Sequence, residues 1–356
     1  MKNTSHVAAL ILFLLVRAGR KTHLVCDALT PSEHTVVNRR EWFRVTGASS
    51  LGISVATTIF TPQDLVANAA ESDSVAPIAI LGASGRTGAL CVTACLQRGI
   101  PVRVLTRDGT WPSTSAQPGL SEASLALVEQ SKDTLLTVAP CDVKDPDAIR
   151  QAVQGCRAVV YAASASKNGG DAIAIDNIGV VQAAQACLEN QVDRYIILSS
   201  TATTRPNSLG YKFTNILVGG IMDEKRKGEV GVQELYQQAN PDKSSFTIIR
   251  PGGLNEPKEN IVLGPSALEI SQGDTLAGIV SRADLAEVSI ELALRRNAPN
   301  LKNTAVELYY TDSVQACERR FKDFVNNGEA PRLHGQTYDE LFSGIQPYID
   351  YYVWWE

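Results

Sequence analysis

From about residue 76 to about residue 310, short apolar runs alternate with segments whose apolar positions recur at helical spacing. Residues 78–81, Ile-Ala-Ile-Leu, are apolar at every position, the pattern of a strand buried on both faces. A turn carrying Gly82, Gly85 and Gly88 leads from it into an apolar-periodic helix over 89–97 that Gly99 ends. The same alternation predicts strands over 102–106, 135–139, 158–161, 194–198, 246–249 and 305–309. Helices are predicted over 123–130, 146–154, 176–189, 223–238 and 281–295, with Ser281 as an N-cap. Residues 109–132 begin rich in Ser, Pro and Gly and read as a surface excursion, while Pro206, Gly210, Gly219 and Gly220 mark a looser stretch. Residues 255–273 show little periodicity and are assigned to a lobe on the substrate side. An amphipathic helix over 312–327 and an aromatic tail, with Tyr351, Tyr352, Trp354 and Trp355, end the chain. Strand and helix alternate long enough to predict an α/β fold, a Rossmann-like doubly wound parallel sheet with a small C-terminal substrate-side lobe.

The first seventy residues do not follow this pattern. Residues 8–16 form a nine-residue apolar run followed by Arg17, Arg20 and Lys21, which resembles the apolar region of a secretory signal. Arg39 and Arg40 precede a second, mildly apolar run that ends in Ala67-Asn68-Ala69, resembling a twin-arginine export signal with its small-residue cleavage site. The expected organisation is a leader over 1–37, an export signal over 38–70, a nucleotide-binding domain over 71–310, and a C-terminal helix and tail over 311–356. Two signals in series resemble the layered presequences of proteins sent to the thylakoid lumen of complex plastids, so a plastid and its lumen are the expected location. The stroma or another exported compartment is the alternative.

Charge narrows the partners. Residues 1–70 hold seven Lys/Arg against four Asp/Glu, leaving 26 against 34 downstream. An acidic body of this kind argues against a nucleic-acid groove. The seven cysteines form no CxxC pair, and Cys91 and Cys95 read as core-filling residues on one helix. Only His334 of the four histidines lies in the body, so neither a histidine metal site nor a Ser/His/Asp triad is expected there.

The candidate chemistry begins at the glycine turn. The first glycine permits a tight turn, the second lets a pyrophosphate approach the backbone, and the third lets helix and strand pack closely. The helix that follows presents backbone donors and the positive end of its dipole. At the end of the second strand, an acid holds the ribose hydroxyls of NAD, whereas a base faces the extra phosphate of NADP. Arg107 stands there, with Arg86 in the turn, and NADP is the expected cofactor in preference to NAD.

Taken together, Gly-Ala-Ser-Gly-Arg-Thr-Gly at 82–88, Cys-Asp-Val at 141–143, Leu-Ser-Ser at 198–200, Ile-Ile-Arg-Pro-Gly-Gly-Leu at 248–254 and Ser-Arg-Ala-Asp-Leu-Ala-Glu-Val at 281–288 resemble the atypical short-chain dehydrogenase/reductases. The likeness is to their NmrA-like, NAD(P)H-binding members, and it spans about residues 76–310. It implies that Gly82, Ser84, Gly85, Arg86, Thr87 and Gly88 hold the pyrophosphate and that Arg107 faces the adenosine phosphate. It further implies that Asp142 and Val143 flank adenine, Ala162 and Ser164 line the ribose, and Pro251 and Gly252 back the nicotinamide. Ser200 or Thr201 stands where the family's active-site hydroxyl lies, and Lys225 resembles its basic residue. Catalytic members place a Tyr four residues before that Lys as acid/base. Here Ile221 occupies that position, and Tyr211 is followed four residues on by Asn215. Two functions therefore remain open. One is an NADP-dependent reductase of a small quinone, flavin or enone, whose hydride chemistry needs little acid. The other is a non-catalytic protein that senses NADP(H) or assists assembly of photosynthetic complexes, docking a protein or membrane surface through the aromatic tail.

Overall fold

A computed structural model of the chain describes residues 76–112, 120–165, 170–217, 219–255, 261–316 and 332–347. All of them lie in the unit Ser72–Glu356. The leader, the export signal, the aromatic tail and the greater part of the expected helix over 312–327 fall outside the described residues.

The strands are β1 (Ile78–Leu81), β2 (Val102–Thr106), β3 (Leu136–Pro140), β4 (Ala158–Tyr161), β5 (Arg194–Leu198), β6 (Ser245–Pro251), β7 (Gly253–Asn255), β8 (Leu268–Ser271), β9 (Leu276–Ala277), β10 (Ile279–Ser281), β11 (Thr304–Tyr310), β12 (Gln315–Ala316) and β13 (Arg332–Leu333). The helices are α1 (Arg86–Gln97), α2 (Glu122–Ser131), α3 (Pro146–Ala152), α4 (Gly179–Glu189), α5 (Leu209–Leu217), α6 (Ile221–Ala239), α7 (Arg282–Leu294) and α8 (Tyr338–Phe342). The main sheet runs β13-β8-β11-β6-β5-β4-β1-β2-β3. Its strands from β3 to β11 are parallel, and β8 is antiparallel to both of its neighbours.

Two apolar layers follow from the alternation of side chains along each strand. Ile78, Ile80, Val102, Val104, Val160 and Ile196 pack with α1 and α7 on one face. Ala79, Leu81, Leu105, Val159, Tyr161 and Ile197 pack with residues of α3, α4 and α6 on the other. The central strands are buried from both sides, which is why they read as unbroken apolar runs rather than alternating ones. The order of connections reverses between β1 and β4, the point at which doubly wound sheets open a crevice beyond their strand ends.

Four expectations are corrected. The loose stretch around Gly210 contains the nine-residue helix α5. The segment 255–273 does not form only a separate lobe, because β8 joins the main sheet beside β11. The expected helix does not begin at Asp312: residues Thr311–Ser313 make a single 3-10 turn, and Gln315–Ala316 pair with β9. The helix expected from Asp176 opens instead with a π-helical turn, Ile173–Ile178, ahead of α4.

Candidate functional site

At the end of β1 the glycines are fixed by close approach. Gly82 has φ +80°, and a Cβ there would lie 2.5 Å from the backbone nitrogen of Ala163, at the end of β4. A Cβ on Gly88 would lie 2.3 Å from the Gly82 carbonyl oxygen, so α1 presses directly on the turn. Gly85 is the N-cap of α1, and its amide donates to the Gly82 carbonyl at 2.9 Å. The N-cap is a glycine with no side chain to cap the helix, and no acid lies in its first turn, which suits a helix start that faces a phosphate. Ser84, Gly85 and Arg86 are exposed at the tip and Thr87 is half-buried. Beneath the turn, the buried indole of Trp111 donates to the Ala83 carbonyl at 3.0 Å. Sequence reasoning missed this residue, whose only signal is a lone Trp beside a Ser/Pro-rich run.

The neighbouring strand ends carry the other expected residues. Arg107 and Asp108 are exposed just beyond β2. The Asp108 carboxylate folds back to accept from the Thr110 amide at 3.1 Å and the Thr106 hydroxyl at 3.3 Å. The hydrogen bonds from Thr110 and then Thr106 hold it below the usual carboxylate range. Beyond β3, Asp142 is half-buried and accepts from the Lys144 amide at 3.0 Å, while Val143 is buried.

Beyond β4, Ala162 is half-buried and Ser164 is exposed. The Ser164 hydroxyl donates to Asp176 Oδ1 at 2.7 Å, and the Ala165 amide to Asp176 Oδ2 at 2.8 Å. Lys225 Nζ, on α6, reaches the same Oδ1 at 2.8 Å. Asp176 is 1% exposed, and it reaches this position from the π-helical turn, a local widening that is frequent at functional sites. One carboxylate thus joins an expected ribose residue to the expected basic residue. Asp176 was read from the sequence only as a helix start.

Ser200 and Thr201 follow β5. The half-buried Ser200 hydroxyl donates to the Thr201 carbonyl at 3.1 Å. The Thr201 hydroxyl lies 3.1 Å from both Asp274 Oδ1 and the Tyr309 hydroxyl, and its amide donates to the Pro251 carbonyl at 3.0 Å. Pro251 and Gly252 are buried beside it, and a Cβ on Gly252 would lie 2.3 Å from the Gly278 carbonyl oxygen. The position four residues before Lys225 is filled by Ile221, which packs with Ala165, Ala172, Ala202, Tyr211 and Met222. The Tyr211 hydroxyl donates to Asp223, away from Lys225. Burial and then that hydrogen bond push its phenol well above the ordinary range.

Under these strand ends runs a buried ionic chain that the sequence did not reveal. Glu229 accepts from the Ser199 hydroxyl and, at 2.7 Å, from Arg250. Arg250 also donates to Glu307 at 3.3 Å, and Glu307 accepts from the Asp274 amide at 3.0 Å. Asp274 takes the Ala202 amide at 2.8 Å, the Thr204 hydroxyl at 2.7 Å and Arg205 at 3.3 Å. Burial pushes the Glu307 carboxyl up to about 8, against the pull of Arg250 and with the aid of the Asp274 charge. Burial also opposes ionisation of Asp274, but Arg205, Arg250 and the hydrogen bonds from Ala202 and Thr204 together outweigh it and hold that carboxyl below its ordinary value. Cys91 and Cys95 are buried core residues, with the Cys95 thiol raised to about 12 by burial. Among the described residues no cluster of His, Cys, Asp or Glu could hold a metal ion.

The glycine turn, Arg107, Asp142, Val143, Ala162, Ser164, Ser200, Thr201, Pro251, Gly252 and Lys225 therefore stand along one edge of the sheet, at the ends of six adjacent strands and on α6. The tight turn without room for a Cβ, the glycine N-cap of α1 and the exposed guanidinium beyond β2 fit a dinucleotide.

Comparison with known proteins bears on the same stretch. Residues 82–296 match the model of a family described as NAD(P)H-binding. An uncharacterized chloroplastic protein of Arabidopsis thaliana is 26% identical over 285 residues, covering 75% of this chain and 81% of that one. Among solved structures, the oxidoreductase YlbE of Lactococcus lactis is 16% identical, with a TM-score of 0.49 over 70% of this chain and 97% of its own. ChuY, an anaerobillin reductase of Escherichia coli O157:H7, is 20% identical, with a TM-score of 0.48 over 67% of this chain and all of its own. A short-chain dehydrogenase/reductase of Veillonella parvula in complex with NADP is 16% identical, with a TM-score of 0.47 over 67% of this chain and 96% of its own.

Proposed function

Because the chain belongs to the NAD(P)H-binding family, we propose that it is an NADP(H)-dependent reductase of a small quinone, flavin or enone. The observation that carries this reading is the glycine turn at the end of β1, with no room for a Cβ at Gly82 or Gly88, leading straight into α1. The cofactor, when bound, supplies the hydride. The chain's own residues bind and orient. The turn from Gly82 to Gly88 and the start of α1 hold the phosphates, and Arg107 selects the additional phosphate, since Asp108 is turned back onto its own loop. Ser164 and Lys225, fixed by Asp176, hold the ribose. Pro251 and Gly252 back the nicotinamide, and Ser200 or Thr201, just beyond β5, offers the hydroxyl to the substrate. With Ile221 rather than a tyrosine four residues before Lys225, an acceptor that takes a hydride without strong acid assistance suits the site better than a simple ketone.

The test is NADPH oxidation by the purified protein across quinones, flavins and enones. Turnover with one class supports the proposal. Tight NADPH binding without turnover supports the second reading instead, a protein that senses NADP(H) or assists assembly. The apolar packing around Ile221 favours that second reading.

We also assign the protein to a plastid, on the chloroplastic relative and the two signals in series, and within it to the thylakoid lumen. Cleavage near Ala70, separating a leader from the nucleotide-binding domain, belongs to the same reading. N-terminal sequencing of native protein that starts upstream of Arg39 excludes it.

A further inference from the structure

Helix α5 is built inside out. Leu209, Phe213, Ile216 and Leu217 are 87%, 67%, 82% and 58% exposed. At 3.6 residues per turn these four positions fall within an arc of about 100°. Tyr211, on the opposite side, is buried against the body with Ile221 and Met222. The helix is anchored from that inner side by the Tyr211 hydroxyl on Asp223 and by Asn215, which donates to Asp223 at 2.6 Å and accepts from the Met222 amide at 2.9 Å. Its C-terminal end is closed by the Gly220 amide on the Asn215 carbonyl at 2.8 Å. The apolar arc therefore contributes nothing to the core.

Charge and area say what meets it. From Pro206 to Met222 the chain holds one charged residue, Lys212, which is exposed at the margin of the arc. The nearest acid, Asp223, is engaged by Tyr211 and Asn215. The four side chains present on the order of 500 Å² of apolar surface, short of the roughly 800 Å² per partner of a stable protein interface. An exposed apolar face with a lysine at its margin is the form of an interfacial helix. We propose that α5 docks the protein on a lipid surface, with Leu209, Phe213, Ile216 and Leu217 entering the headgroup layer and Lys212 meeting anionic headgroups. The loop that carries Ser200 runs directly into α5, so docking brings the mouth of the site to the lipid. The inference stands on the surface alone and does not require that anything be reduced.

The experiment is sedimentation of the full chain with vesicles of phosphatidylcholine, with and without phosphatidylglycerol. It is repeated for Phe213→Ser/Ile216→Ser and for Lys212→Glu. These side chains are exposed, so thermal unfolding of the variants should match the unmodified chain. The expected result is binding that falls at least tenfold in the double variant, with Lys212→Glu losing the preference for phosphatidylglycerol. Equal binding by the double variant assigns any lipid affinity to another segment and overturns the proposal. So does an unmodified chain that stays in the supernatant. A dimer that the double variant converts to monomer, without a change in vesicle binding, replaces the lipid with a second copy of this chain.

Discussion

Replacing Glu307 with Gln tests the buried chain beneath the site. Arg205 and Arg250 pair with Asp274, Glu229 and Glu307 in this chain, and one of those carboxyls holds a proton. Burial assigns that proton to Glu307, whose carboxyl is raised from 4.5 to about 8. Between these values the folded chain holds a proton that the unfolded chain has released. Stability conferred by the neutral acid is therefore complete below 4.5 and is lost as pH rises through about 8, at up to about 1.4 kcal/mol per pH unit. Between about pH 6 and pH 8 the loss integrates to about 2 kcal/mol. Asp274, held low, acts in the opposite sense, and only at pH below its ordinary 3.8, so the windows do not overlap. Gln keeps the shape of the neutral acid and cannot ionise. Urea unfolding of both proteins at the two pH values should show the decline in the unmodified protein and a flatter profile in Glu307→Gln. Parallel pH profiles would refute the assignment of the proton to Glu307.

Other substitutions test the cofactor edge. Gly88→Ala places a Cβ 2.3 Å from the Gly82 carbonyl oxygen, so α1 must move. NADPH affinity measured by calorimetry should fall at least tenfold. Arg107→Glu should reverse a preference for NADP over NAD in the same measurement, and equal affinities in the unmodified protein would remove the assignment of Arg107. Lys225→Met strands the buried Asp176 carboxylate and should destabilise the fold by about 3–5 kcal/mol in urea unfolding. Combining it with Asp176→Asn should recover most of that loss, and additive losses would mean that the pair is not coupled.

Legibility in the sequence followed locality. Strands β2, β4 and β5 have the predicted bounds because an unbroken apolar run ended by turn residues encodes a strand buried on both faces. The glycine turn was legible because its pattern lies within seven residues; Gly88 is confined by the Gly82 carbonyl inside that turn, whereas Gly82 is confined by Ala163 beyond β4, which only the sheet order brings near. Helix α5 was not, because its apolar arc faces outward and its sequence includes Gly210. Asp176 looked like an ordinary helix start, since a π-helical turn leaves no mark in the apolar spacing. The chain through Glu229, Arg250, Glu307 and Asp274 was invisible for another reason: its members lie on α6, β6, β11 and the loop after β8, and only the sheet order brings them together.

These two missed clusters meet on one helix face. Lys225 and Glu229 are four residues apart on α6, the spacing that stacks side chains one turn above another. Lys225 reaches Asp176 and thereby Ser164 and the end of β4. Glu229 reaches Ser199 at the end of β5 and, through Arg250, the residues that hold the loop around Thr201. The same face one turn earlier carries Ile221, where a tyrosine would stand in a catalytic relative. A phenol there would have to displace the packing of Ile221 against Ala165 and Ala202, whereas the ionic contacts one and two turns later are intact. Under the proposed function, Lys225 and Glu229 on this helix position the cofactor and shape the β5 loop, and Ile221 supplies no proton. Introducing a tyrosine alone, as Ile221→Tyr, should consequently lower stability before it adds ketone reduction, because the polar hydroxyl enters an apolar cluster.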